Sequence, residues 1–276
     1  MTTTKPKKSL GQNFLRDIAV LDKIIESANL SVADFVIEVG PGEGVLTERL
    51  MKRAKKVVAI EIDKDLALRL DSRLRGNDKV EIINADILEI NLPELIEAKT
   101  RQCLVSTDIN NYPYKVIANI PYYITSPIIR LFLETKYPPT EMLLMVQKEV
   151  AERICAKAGK LSILALSVQY YATPELLFTV PKTAFFPVPE VDSAIIRITR
   201  NSNQETVNNE QEKKKFFKIV KAGFSAKRKT LVNNLSSSLQ LEKAIIEEEL
   251  KQIGISPNQR AQELQLEDWK SLSKSL

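Results

Sequence analysis

Four short segments of the sequence end in residues that could hold or act on a small molecule. VIEVGPGEGVLTERL carries Gly40, Gly42 and Gly44 between an apolar run and a helical pattern. VVAIEID ends in Glu61, INADIL holds Asp86, and KVIANIPYY sets Asn119 ahead of Ile120, Pro121 and two tyrosines. A glycine-rich strand-to-helix turn lets the backbone approach a ligand closely and aims helix amides at it. Glu61 lies 21 residues beyond Gly40, near the ~20 at which a carboxylate grips ribose hydroxyls. If each run is a strand of one open α/β sheet, the four ends converge on the crevice along its carboxyl edge. Such a set suits a nucleoside, with a carboxylate for the ribose, a polar side chain for the adenine edge and the glycine turn for the group between.

The glycine spacing is GxGxG and not the dinucleotide GxGxxG, and an acid, Glu38, stands just before the first glycine. A pyrophosphate is poorly matched to that carboxylate, whereas a ligand with an ammonium group and no phosphate suits it. S-adenosylmethionine answers that description and is the expected cofactor; NAD is the competing reading. The chain contains no histidine, which excludes Ser-His and Cys-His nucleophilic catalysis, imidazole bases and His-ligated zinc. Cys103 and Cys155 are far apart with no CxxC pattern, so they read as structural thiols and no metal site is expected.

These ends can meet only if strands hold them side by side. From about residue 34, β-branched runs (FVIEV, VVAIE, VEIIN, KVIAN, MLLMV, LLFTV, AIIRI) alternate at first with helical patterns such as LTERLMKRA and DLALRLDSRL. This βαβα order predicts a parallel sheet covered by helices. Residues 17–29 read as an amphipathic helix capped by Asp17. Residues 99–114, with Asp108, Asn110, Asn111 and Pro113, read as a loop before the fourth strand. After Arg200 the polar stretch NSNQETVNNEQE reads as a linker, and helical patterns follow to the end with a break at Gly254 to Pro257. Two domains are expected, at 1–200 and 201–276.

With 276 residues, 44% of them apolar and 27% charged, the composition is that of a folded protein with a sizeable core. The lysine-bearing N-terminus lacks the apolar region of a secretory signal, and no apolar run approaches the ~18 residues of a membrane span, so a cytoplasmic protein is expected. The net charge of +5 favours a polyanionic partner.

SLGQNFL, EVGPGEGVLT, EID, NADIL, NIPYYI, FFPVPEVDSAIIRI and FSAKRKTLVNNL together resemble the ribosomal RNA adenine N6-dimethyltransferases over most of the chain. Within that family the pattern is most similar to the bacterial enzymes acting on two adjacent adenosines near the 3′ end of 16S ribosomal RNA. The resemblance implies a Rossmann-like, seven-stranded class I methyltransferase sheet with a small all-helical C-terminal domain. It implies cofactor contacts at Asn13, Leu15, Gly40, Gly42, Glu61, Asp86 and Asn119, and the small ribosomal subunit or its precursor as partner, with the enzyme acting as a monomer. A large-subunit RNA substrate is the alternative within the family. Before Gln169 the segment AKAGKLSILALSV departs from the family, which is usually slightly longer there and carries a Tyr-Gly pair.

The exocyclic amine of adenine is a poor nucleophile because its lone pair is delocalised into the ring. Carbonyl acceptors on its N–H bonds would free that pair, and the Asn119 amide oxygen and the Ile120 carbonyl are the expected acceptors. Pro121 would hold that carbonyl through its fixed φ and its restriction of the preceding residue. Tyr122 would stack on the base, with Phe185 on its second face; Tyr123 either joins them or packs in the core. Lys213, Lys214, Lys215, Lys218, Lys221, Lys227, Arg228 and Lys229 have no acid among them and read as a phosphate footprint on RNA. Lys5, Lys7 and Lys8 could extend it, and Trp269 reads as a packing residue of the last helix.

Overall fold

A computed structural model of the chain describes residues 6–7, 10–103, 113–201 and 210–276. Seven strands form one sheet: β2 (Phe35–Val39), β3 (Lys56–Glu61), β4 (Val80–Asn84), β5 (Lys115–Asn119), β6 (Glu141–Gln147), β7 (Ala172–Val180) and β9 (Ser193–Arg200). Their spatial order is β4-β3-β2-β5-β6-β9-β7. The run from β4 to β6 is parallel, while β9 lies antiparallel to β6 with Met145 opposite Ile195. The expected sheet is therefore mixed and not wholly parallel. Residues 181–192 return the chain beside β6 without a crossover helix, which permits antiparallel pairing.

Two further strands of two residues each, β1 (Phe14–Leu15) and β8 (Phe185–Phe186), pair antiparallel with Phe14 opposite Phe186. The sequence reading had neither. Every residue of β2 is buried, as a central strand covered on both faces requires; Glu38 is its one polar member. Helices α1 (Ile18–Ser27) and α2 (Val45–Arg53) bury Leu21, Ile24, Ile25 and Leu50 against Val36, Val57, Ile117 and Met145 of the sheet. Asp17 caps α1 by accepting the N–H of Val20 at 3.2 Å. Helix α3 (Lys64–Leu74) connects β3 to β4.

Helix α4 (Leu92–Cys103) runs into the stretch expected as a loop and takes up its first five residues, 99–103. Ile96 is buried at its centre and Lys99 bonds Glu81 on β4 at 2.6 Å, so tertiary anchoring outweighs the weak periodicity. Asp108, Asn110 and Asn111 lie outside the described residues, as do the Cys103 side chain and most of the predicted linker; α8 (Glu210–Gly223) already includes its last residues.

The chain divides into two compact units, 1–151 with 174–200, and 152–173 with 201–276. The expected break near residue 200 is one of the crossings, but residues 152–173 belong with the helical unit. Helix α7 (Ile163–Gln169), capped by Ser162, buries Ala165 and Leu166 in one core with Leu161, Tyr170, Phe216 on α8, Leu231 and Leu235 on α9 (Leu231–Leu239), Ile246 on α10 (Lys243–Gln252) and Trp269 on α11 (Leu266–Ser275). No helix among the described residues is long and apolar enough to cross a membrane.

Candidate active site

The strand order reverses direction at β2, which has β3 on one side and β5 on the other, so the crevice opens at the carboxyl ends of β2 and β5. A cavity of about 240 Å³ lies there. Gly40, Gly42, Glu61, Asp86 and Asn119 line it, and so do Asn13 and Leu15 from the N-terminal segment. Gly40 takes φ +69° and donates its N–H to Ile60 O at 2.9 Å, tying the turn to β3. Gly44, at φ +76°, is the N-cap of α2.

Glu61 is 4% exposed. One carboxylate oxygen accepts the Gly42 N–H and the other the Asp63 N–H, both at 2.9 Å, so the acid braces the glycine turn against the end of β3. Burial pushes its pKa up, partly offset by those two donors. Asp86, just past β4, accepts the Leu88 N–H at 2.9 Å. Glu38 is 1% exposed, and its Oε2 has no hydrogen-bond partner. Burial raises the Glu38 pKa to about 8, opposed by the neighbouring Thr47 hydroxyl and reinforced by the charge of Glu61.

Asn119 closes β5, and its side-chain amide donates to Asn13 O at 3.3 Å. That bond turns the amide oxygen away from Asn13 and leaves it as an acceptor. Ile120 is buried and donates its N–H to Met145 O on β6 at 3.3 Å. Pro121, with φ −54°, opens a single 3-10 turn at Tyr122–Ile124, and helix α5 (Thr125–Glu134) follows. The Tyr122 hydroxyl is 2.8 Å from Ser193 Oγ at the start of β9, which fixes the ring at the cavity wall. Partial burial raises its pKa.

Phe185 is a correction to the sequence reading. Its ring is 3% exposed, packed in the core with Leu15 and Leu21, and it is absent from the cavity wall. The β8 pairing alternates side chains, so Phe186, 57% exposed, presents the open ring. Tyr123 is 58% exposed and not a core residue; a Cβ added to Gly11 would lie 3.5 Å from its ring. Sequence reasoning also missed Ile62 and Leu88, exposed apolar side chains on the cavity wall. Their only signal is adjacency to Glu61 and Asp86.

These groups fit S-adenosylmethionine. A buried, unpartnered Glu38 oxygen matches an ammonium, Glu61 and the glycine turn match a ribose and the chain leading from it, and Asp86 with the apolar Ile62 and Leu88 matches an adenine.

In the helical unit, Lys213, Lys214, Lys215, Lys218 and Lys221 lie on α8, and Lys227, Arg228 and Lys229 on the turn before α9. Lys213 is half-buried, its ammonium 5.5 Å from the centre of the Tyr171 ring; Lys214 pairs with Glu210 at 3.8 Å and Lys215 reaches Lys274 O at 3.5 Å. The other five are exposed. Lys7 is bonded to Asp63 and Asp65, and Lys5 and Lys8 lie outside the described residues.

A mixed seven-stranded sheet of this order, with a glycine turn, two acids and an asparagine along one edge, defines a Rossmann-like methyltransferase. The family model for ribosomal RNA adenine dimethylases matches residues 3–276. The chain is 44% identical over 270 residues to ribosomal RNA small subunit methyltransferase A of Dehalococcoides mccartyi, covering 98% of this chain and 88% of that one. To the protein of the same name from Fusobacterium nucleatum it is 44% identical over 272 residues, covering 98% and 97%. Among solved structures, a dimethyladenosine transferase from Plasmodium falciparum superposes with a TM-score of 0.77 at 25% identity, over 94% of this chain and 95% of that one. The 23S rRNA methyltransferase ErmE superposes with a TM-score of 0.72 at 28% identity, over 96% and 99%. The chain belongs to the ribosomal RNA adenine dimethylase family.

Proposed function

We propose that this protein transfers methyl groups from S-adenosylmethionine to N6 of two adjacent adenosines near the 3′ end of 16S ribosomal RNA, in the cytoplasm, during assembly of the small subunit. The observation that carries this reading is the Asn119 amide, held by Asn13 O at 3.3 Å so that its oxygen is the free acceptor at the cavity wall. S-adenosylmethionine, when bound, supplies an electrophilic methyl whose bond to sulfur breaks with its electron pair going to sulfur. Asn119 accepts one N–H of the target amine and the Ile120 carbonyl accepts the other, drawing the nitrogen toward tetrahedral geometry and freeing its lone pair to form the new bond to carbon. The proton then leaves to water, so no histidine is needed. Tyr122, fixed by Ser193, stacks on the base. Positioning and directed dipoles account for such catalysis without an acid–base residue.

The basic residues from Lys213 to Lys229 suit an RNA backbone. Small-subunit RNA is favoured over large-subunit RNA by the near-full-length identity to relatives named for the small subunit. Mapping methylated adenosines after incubation with assembly-stage small subunits and with large-subunit RNA tests this: product confined to the large subunit overturns the substrate assignment. Asn119→Ala is expected to reduce methyl transfer on the order of 10²–10³-fold while RNA affinity persists. Full activity in that variant rules out the acceptor role.

A further inference from the structure

The N-terminal segment crosses the cavity as a strap, residues 10–15 all lining it. At its far end β1 pairs with β8, and the Arg16 guanidinium donates to Glu43 Oε1 in the glycine turn at 2.8 Å and lies 2.7 Å from Oε2 as an ion pair. The near end is fastened differently. Lys7 Nζ donates to Asp63 Oδ1 at 2.7 Å, Gln12 Nε2 donates to Asp63 Oδ2 at 2.9 Å, and the Lys7 backbone N–H closes the ring by donating to Gln12 Oε1 at 2.8 Å.

The Asp63 side chain is 1% exposed. Its third donor is the Asp65 N–H at 3.1 Å, the N-cap bond of α3. Burial pushes this carboxyl up, but the bonds from Lys7, Gln12 and the Asp65 N–H, with the charge of Lys7, together outweigh it and hold the pKa below the ordinary value. A buried carboxylate that loses partners is strongly penalised. Two of its three partners belong to the strap, so lifting the strap would strand the charge. Asp63 also donates its backbone N–H to Glu61 Oε1, which ties the fastening to the acid facing the cavity.

We infer that Asp63 is a positioning residue, latching the strap over the cofactor cavity through Lys7 and Gln12. The latch rests on the reading of the cavity as an S-adenosylmethionine site only for its effect on affinity; its effect on the strap is independent of any ligand. Lys7→Met and Gln12→Ala are therefore measured first in the unliganded full-length protein, by amide hydrogen exchange. Both should speed exchange at residues 10–15, with Lys7→Arg close to the parent. Titration with S-adenosylmethionine should then show weaker binding by roughly tenfold in Lys7→Met, the value of about one charge-assisted hydrogen bond, with RNA affinity unchanged. Exchange at residues 10–15 that is the same in all variants overturns the latch, as does a loss in Lys7→Arg equal to that in Lys7→Met. A parent protein that fails to bind S-adenosylmethionine while its strap still responds overturns the cofactor reading and leaves the latch standing.

Discussion

Glu38 is the residue whose surroundings conflict most with its charge. It is buried near the carboxyl end of β2 with one oxygen unpartnered, and its pKa is raised to about 8. The unfolded chain releases that proton near the ordinary glutamate value, so between about pH 4.5 and pH 8 the folded state holds more protons than the unfolded one. Folding stability of the unliganded protein therefore falls as pH rises through that window, with a limiting slope of roughly 1 kcal/mol per pH unit from this group. Glu61, also raised, acts in the same direction. Asp63, held low, contributes stability that is lost only in acid, below this window. Denaturant titrations from pH 5.5 to 7.5 should show Glu38→Gln with a distinctly flatter profile than the parent. A slope the same in both would mean that Glu38 is already ionised in the folded protein. The acid itself was legible in sequence from its place beside the glycine turn. Asp63 was not, because its partners Lys7 and Gln12 lie 56 and 51 positions upstream and no local pattern relates them.

At the scale of elements, the seven main strands were readable because each is a short apolar run, and the helices between the early ones because their apolar residues recur at helical spacing. The pair β1 and β8 was not, since two residues cannot display a period. That gap explains why Phe185 was set against the substrate: only pairing with Leu15 decides which of two adjacent phenylalanines turns inward. The end of helix α4 was read as loop because residues 99–103, anchored by Lys99 to Glu81, show no clear helical spacing in one dimension. The glycine turn shows what each position contributes. A Cβ on Gly44 would lie 2.2 Å from Leu70 Cδ1, and Leu70 is 2% exposed in α3; a Cβ on Gly40 would meet nothing nearer than Asn119 O at 3.8 Å. Both need positive φ, worth about 1–2 kcal/mol against alanine, but only Gly44→Ala adds overpacking of roughly 1–3 kcal/mol. Gly44→Ala should therefore lower the unfolding free energy by clearly more than Gly40→Ala, measured by urea titration. Equal losses would show that α3 yields to the added methyl.

At the scale of the whole molecule, the helical unit is not a simple C-terminal appendage. Its core is assembled from two stretches, and Leu161, Ala165, Leu166 and Tyr170 come from the earlier one. The composition change after Arg200 made one crossing visible in sequence. The crossings at 151/152 and 173/174 were hidden because 152–173 has the same mixed apolar pattern as the sheet unit around it and reveals its allegiance only through what it packs on. Burying a Leu-sized side chain is worth about 1.5–3 kcal/mol, so the two leucines alone contribute several kcal/mol, on the order of the entire net stability of a small domain at about 5–15 kcal/mol. A fragment spanning 201–276 should therefore lack a cooperative thermal transition and bind a hydrophobic dye, although its helices retain their own periodicity. Supplying 152–173 on the same chain through a flexible linker should restore a sigmoidal melt by circular dichroism. Cooperative folding of 201–276 alone would show that α8 to α11 close their own core and that the inserted stretch only decorates it.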